Sequence, residues 1–131
     1  MMNSVVHFEM PYRDAARAAA FYTAAFGWVT QLMGPDMGDY LLVTTAKEDV
    51  RPDAPAGAIN GGLYPYKSDW PEQYPSVVIG VEDVLAAMER VRVAGGEVLG
   101  DPIEIPGVGQ YVSFIDSEGN RNSMLQPLMQ G

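Results

Sequence analysis

One histidine and a nearby glutamate set the chemistry this chain can attempt. His7 and Glu9 sit two apart in Val5-Val6-His7-Phe8-Glu9-Met10-Pro11. The alternation predicts a strand with Val5, His7 and Glu9 on one face and Val6, Phe8 and Met10 on the other. Imidazole titrates near neutral pH, and a carboxylate beside it can hold the ring or act as a base. The pair can therefore hydrogen-bond a ligand or move a proton. A plainer reading stands beside this one: a strand histidine satisfied by a neighbour, and a partly solvated carboxylate. His7 is the only histidine and there is no cysteine, which removes thiol nucleophiles, disulfides, iron–sulfur clusters and thiolate zinc sites. No spacing sets Ser76 or Ser123 against His7 as a nucleophile. Gly61-Gly62 and Gly107-Val108-Gly109 lack the Lys and helix-start pattern of a phosphate loop.

The elements that must position His7 and Glu9 follow from the next residues. Asp14 is an N-cap, the Ala-rich run to Phe26 has helical propensity, and Gly27 stops it. The apolar side of that helix covers the Val6/Phe8/Met10 face and leaves the His7 face to line a cavity. Strands are expected over Trp28–Met33, Tyr40–Thr45 and Ala58–Tyr64, with a turn at 34–39 and an exposed loop at 47–57. A Pro-rich stretch, Pro65 to Pro75, is a linker. Its aromatics, with Tyr64, give Tyr64, Tyr66, Trp70 and Tyr74, which either wall a pocket for a flat molecule or pin the linker down. Ser76–Val81, a helix after Asp83, Glu97–Gly100 continued by Ile103–Ile105, Gln110–Ile115 and Asn122–Gln126 complete the order.

Both halves read β-α-β-β-β. Asp14 and Asp83 differ by 83 − 14 = 69, Gly27 and Gly96 by 96 − 27 = 69, and the same shift sets His7 opposite Ser76. A chain of 131 residues is then one domain made of two small modules, about 4–66 and 75–128. The formal net charge of −9 repels phosphate backbones, so nucleic acid is not an expected partner. No apolar run reaches the ~20 residues that span a bilayer, and no basic-then-apolar leader opens the sequence, so no membrane and a cytoplasmic location are expected. The small halves leave sheet edges to cover, which predicts a homodimer.

His7-Phe8-Glu9 with Asp14 and Ala20–Trp28, then Val81-Glu82-Asp83-Val84 leading to Ala94–Val98, then Ile105–Gly109 and Asp116–Asn120 resemble the vicinal oxygen chelate superfamily. That superfamily holds glyoxalase I, extradiol dioxygenases, and fosfomycin- and bleomycin-resistance proteins. The resemblance implies an α+β fold: two βαβββ modules forming a concave mixed sheet with helices on the outside. It also implies a divalent metal held by the first and last strand of each half. His7 matches the first ligand. Asn60 or Gly62, Ser76 and Ser123 stand where Glu, His or Gln is expected. Seryl oxygens and one Asn are poor donors for such an ion. No complete metal site or cofactor is therefore expected, and a His7/Glu9 pair completed by waters would hold a divalent metal only weakly.

The resemblance and strand parity give the expected cavity lining: His7, Glu9, Asn60, Gly62, Ser76, Val78, Ser123 and Leu125, with His7 and Glu9 as the catalytic candidates. This mix suits a mostly apolar small organic molecule with a few polar groups. The expected function is a binding protein of the glyoxalase/bleomycin-resistance type. The alternative is a lyase, isomerase or dioxygenase of the superfamily that uses His7 with a weakly held metal.

Overall fold

A computed structural model describes residues 2–46 and 59–128. The 47–57 loop expectation lies outside the described residues. The chain forms two compact units, one of residues 7–75, the other of residues 76–131 together with the N-terminal residues through Val6. The two β-α-β-β-β modules are present, each with four strands in mixed parallel and antiparallel pairing. No described helix is long and apolar enough to cross a membrane.

The first unit contains β1 (Val5–Tyr12, its first two residues grouped with the second unit), α1 (Ala15–Phe26), β2 (Val29–Leu32), β3 (Leu41–Thr44) and β4 (Gly61–Pro65). Its strands lie in the order β2-β3-β4-β1. β1 and β4 are parallel; β3 is antiparallel to β4 and to β2. Asp14 caps α1 by accepting from Arg17 N–H at 3.0 Å. Gly27, at φ 72, turns the chain left-handed so that its N–H reaches Thr23 C=O, a conformation glycine adopts without Cβ strain. The core is Leu41, Val43 and Leu63, with Phe8, Met10, Tyr12, Ala18, Ala19, Tyr22 and Trp28 packed on it. Alanines at 18 and 19 keep α1 close to the sheet. Burying each Leu or Val of this core contributes roughly 1.5–3 kcal/mol. α1 therefore covers the Phe8/Met10/Tyr12 side of β1.

Two adjacent glycines on β4 let aromatic rings lie flat against the strand from opposite sides. A Cβ at Gly61 would sit 2.5 Å from the Phe8 ring, and one at Gly62 would sit 2.0 Å from the Tyr40 ring. Both are closer than any real carbon contact, so only glycine admits these rings.

The second unit holds β5 (Ser76–Gly80), α2 (Val84–Val93), β6 (Glu97–Ile105), β7 (Gly109–Ile115) and β8 (Arg121–Pro127) in the order β5-β8-β7-β6. The N-terminal segment joins it through Gly80 N–H donating to Ser4 C=O at 2.9 Å. Asp83 caps α2 at Ala86 N–H, and Gln126 Oε1 accepts from Val84 N–H at 2.8 Å. Val81, Val84, Ala87, Met88, Val112, Phe114 and Met124 form its core. The stretches 97–100 and 103–105 are one strand with an irregularity between Leu99 and Ile103. The repeat slips at the helix ends. The left-handed glycine after α2 is Gly95, at φ 102, while Gly96 allows close approach to Ile115 C=O, 2.7 Å from where its Cβ would be.

Candidate functional site

The faces turned away from the two helices carry the candidate residues. In the first unit, Phe8, Met10, Leu41, Val43 and Leu63 point to the α1 side. Alternation then sends His7, Glu9, Leu42, Gly62 and Tyr64 to the other side. The pairing Glu9↔Gly62 and Leu42↔Gly62 fixes their neighbourhood.

Tyr40, directly before β3, is the residue that organises this face. Its ring lies over Gly62. Its hydroxyl donates to Glu9 Oε2 at 2.9 Å and meets His7 Nε2 at 2.9 Å. A phenol has one proton. With that proton given to Glu9, Nε2 of His7 carries the N–H that donates to Tyr40 Oη, and the lone pair of the neutral ring sits on Nδ1. Burial holds the His7 imidazole below its ordinary pKa, because the charged form loses hydration. At neutral pH the ring is therefore a neutral base, backed by a phenol and a carboxylate. Glu9 itself is buried, 8% exposed.

Asn60 Oδ1 accepts from Thr45 N–H at 2.8 Å and Ala46 N–H at 2.9 Å. That side-chain oxygen ties Asn60, just before β4, to the residues that follow β3. Gly62 contributes space, which Tyr40 occupies.

In the second unit, Ile79, Val98, Val112, Phe114 and Met124 face α2, which puts Ser76, Val78, Ser123 and Leu125 on the opposite side by parity. Val78 pairs with Ser123, and Leu125 with Gly80 and Tyr111. Ser123 is buried and lies 2.7 Å from Tyr111 Oη and 2.9 Å from Ser113 Oγ. Tyr111 and Ser113 are partners that the reading of Ser123 missed, although the alternation of 110–115 carries the signal. Elsewhere in this unit a depression of about 600 Å3 is lined by Glu82, Asp83, Leu85 and Gln110 among others. Its acidic rim offsets the anion preference of the nearby helix start.

These donors do not suit the divalent metal that the resemblance implies. Gly62 has no donor atom, Ser123 is tied into hydroxyls, and Glu9 Oε2 and His7 Nε2 both meet Tyr40. Among the described residues no three His, Cys, Asp or Glu side chains are gathered to hold a metal ion.

Two βαβββ modules with a polar group on the first strand's outer face define an α+β protein of the vicinal oxygen chelate type. Residues 4–124 match the Glyoxalase/Bleomycin resistance protein/Dioxygenase superfamily, and the chain belongs to it. It is 32% identical over 119 residues to a glyoxylase-like domain-containing protein of Didymella fabae, covering 88% of each chain. It is 29% identical over 127 residues to the anthracycline biosynthesis protein DnrV of Streptomyces peucetius, of which it spans 42%. Among solved structures, a hypothetical protein from Bacillus halodurans shares the fold at TM-score 0.70 and 13% identity, covering 100% of this chain and 99% of that one. Methylmalonyl-CoA epimerase of Mycobacterium tuberculosis does so at TM-score 0.65 and 15% identity, covering 95% and 88%.

Proposed function

We propose that this protein binds a small, mostly apolar organic molecule on the His7 face without a divalent metal. The observation that carries this reading is the Glu9–Tyr40–His7 hydrogen-bond chain seated on Gly62. It engages Glu9 Oε2 and His7 Nε2, and His7 Nδ1 is the atom proposed to meet a polar group of the ligand. In the other unit, the face that carries Ser76, Val78, Ser123 and Leu125 is proposed as a ligand-lining surface of its own, mildly polar at the serines and apolar otherwise. The test is metal analysis of the purified protein and calorimetric titration with Ni, Zn, Mn, Fe and Co ions. Weak, substoichiometric uptake is expected. Tight binding of one ion per chain refutes the reading.

The neutral His7 ring favours a second reading, a lyase or isomerase in which Nδ1 takes a proton from carbon while Tyr40 and Glu9 stabilise the imidazolium that forms. Solvent deuterium entering a 1,3-dicarbonyl probe, and lost in His7→Gln, supports it. Exchange equal in both proteins refutes it.

We also infer a homodimer. Phe21, Phe26, Val29 and Leu32, on α1 and the outer strand β2, are each more than half exposed, and apolar surface around an open sheet edge is normally covered. A monomer mass by light scattering at micromolar concentration refutes it. The absence of cysteine fits a reducing compartment such as the cytoplasm.

A further inference from the structure

The segment after β4 is held in one shape by a buried amide. Gln73, 7% exposed, accepts from Lys67 N–H through Oε1 at 2.8 Å and donates through Nε2 to Trp70 C=O at 3.0 Å and to Lys67 C=O. Trp70 N–H closes a turn onto Lys67 C=O, and Tyr66 N–H ties the start of the segment to Tyr12 C=O. Trp70 is thereby brought to Tyr64, with ring centroids 6.0 Å apart and planes at 40°. Tyr64 lies on the His7 side of the sheet, one alternation beyond Gly62. Trp70 remains 43% exposed.

We propose that Tyr64 and Trp70 form a stacking wall for a flat, fused-ring aromatic ligand whose hydroxyl or carbonyl oxygen is placed at His7. This rests on the reading of the His7 face as a ligand site and adds the class of molecule. The register gives the length. Tyr64 pairs with Pro11, four residues along β1 from His7, a span of roughly 13 Å. One ring is too short to reach from wall to imidazole; two or three fused rings match. The chemistry gives the polarity. The wall offers π-faces that reward flat aromatic surface. The other end offers a single neutral base that accepts from a phenol, or, once protonated, donates to a carbonyl. The net charge of −9 disfavours polyanions. Gln73 fixes the wall before binding, so little ordering cost is left to the ligand.

The test is isothermal titration with 2-hydroxyanthraquinone, and with the fully saturated tricyclic alcohol of the same outline as comparator. Trp70→Leu and Tyr64→Leu are each expected to weaken binding of the aromatic probe on the order of tenfold, and the saturated comparator to bind weakly to every protein. Circular dichroism checks that both variants fold. No binding of 2-hydroxyanthraquinone, or equal binding of the saturated alcohol, overturns the proposal. Binding that depends on His7 but not on Trp70 and Tyr64 refutes the wall and leaves the His7 reading standing. Binding that depends on the wall but not on His7 upholds the wall and refutes the His7-centred site.

Discussion

Gly62→Ala is the sharpest perturbation of this site, because it adds a methyl group and removes nothing directly. The new Cβ would lie 2.0 Å from Tyr40 Cε2, 2.2 Å from Cζ and 2.3 Å from Oη. Carbon contacts settle near 3.5–4.0 Å, so the ring must retreat by roughly an ångström or more. Its hydroxyl meets Glu9 and His7 at 2.9 Å each, and both bonds break on that movement. Overpacking costs about 1–3 kcal/mol. Losing the two bonds costs about 1 kcal/mol for the imidazole and more for the buried carboxylate. Alanine returns about 0.4–1 kcal/mol by restricting the unfolded chain. The net is a destabilisation of about 2–6 kcal/mol, or a Tm lower by roughly 10–20 °C for a chain of this size. The only histidine gives one imidazole signal in an NMR pH titration, and its pKa should rise toward the ordinary value as water replaces the ring. Gly80→Ala is the control: its Cβ would meet a Val6 methyl at 3.2 Å, a contact a small shift relieves. If Gly62→Ala melts within a degree of the parent and His7 titrates unchanged, the seating of Tyr40 on Gly62 is not what holds the site.

Tyr40→Phe keeps the ring and deletes the hydroxyl with its bonds to His7 and Glu9, so it should cost about 2–4 kcal/mol in urea unfolding, the larger share from the bond to Glu9; an unchanged midpoint refutes the bond chain. The lowered pKa of His7 means the unfolded chain binds more protons between that pKa and about 6.5. Its contribution to stability is therefore full above 6.5, is lost as pH falls to the folded pKa, and stays lost below it. Unfolding curves from pH 8 to 5 should show a shallower decline in His7→Gln, and parallel curves contradict this. Gln73→Ala removes three bonds from a buried amide and should expose 67–75 to limited proteolysis while the cores stay protected; cutting at the parent's rate contradicts the lock.

The order of elements and the phase of β1 were legible because they are local. Asp14 and Asp83 announce their helices through an interaction that reaches three residues, and alternation alone separates His7 and Glu9 from Phe8 and Met10. Tyr40 was not legible. It lies 33 residues from His7 and 31 from Glu9, and in sequence it reads as one more strand-former before Leu41. Tyr111 was missed for the same reason, its partner Ser123 lying twelve residues on, in the next strand. Gln73 was missed for another: its partners Lys67 and Trp70 are only six and three residues away, but the Pro-rich segment has no periodicity to mark which side chain turns inward. Even the repeat misled at one residue, since shared spacing equated Gly96 with Gly27, whereas Gly95 carries the positive φ.

Gly61 and Gly62 show how one sequence feature admits two readings that only packing separates. Each could be read as a gap in a strand. The ring of Phe8 fills one from the helix side and the ring of Tyr40 fills the other from the His7 side, so the pair sets the distance between two layers and the strand. At Gly62 this has a chemical consequence. The family resemblance leaves a missing ligand there. The missing side chain is also what lets a phenol descend to the strand and meet both His7 and Glu9. Any side chain at 62 long enough to reach a metal would occupy the volume of the Tyr40 ring. A donor at 62 and the Glu9–Tyr40–His7 chain therefore exclude one another sterically, and a chain that carries glycine at 62 with tyrosine at 40 is built for the second.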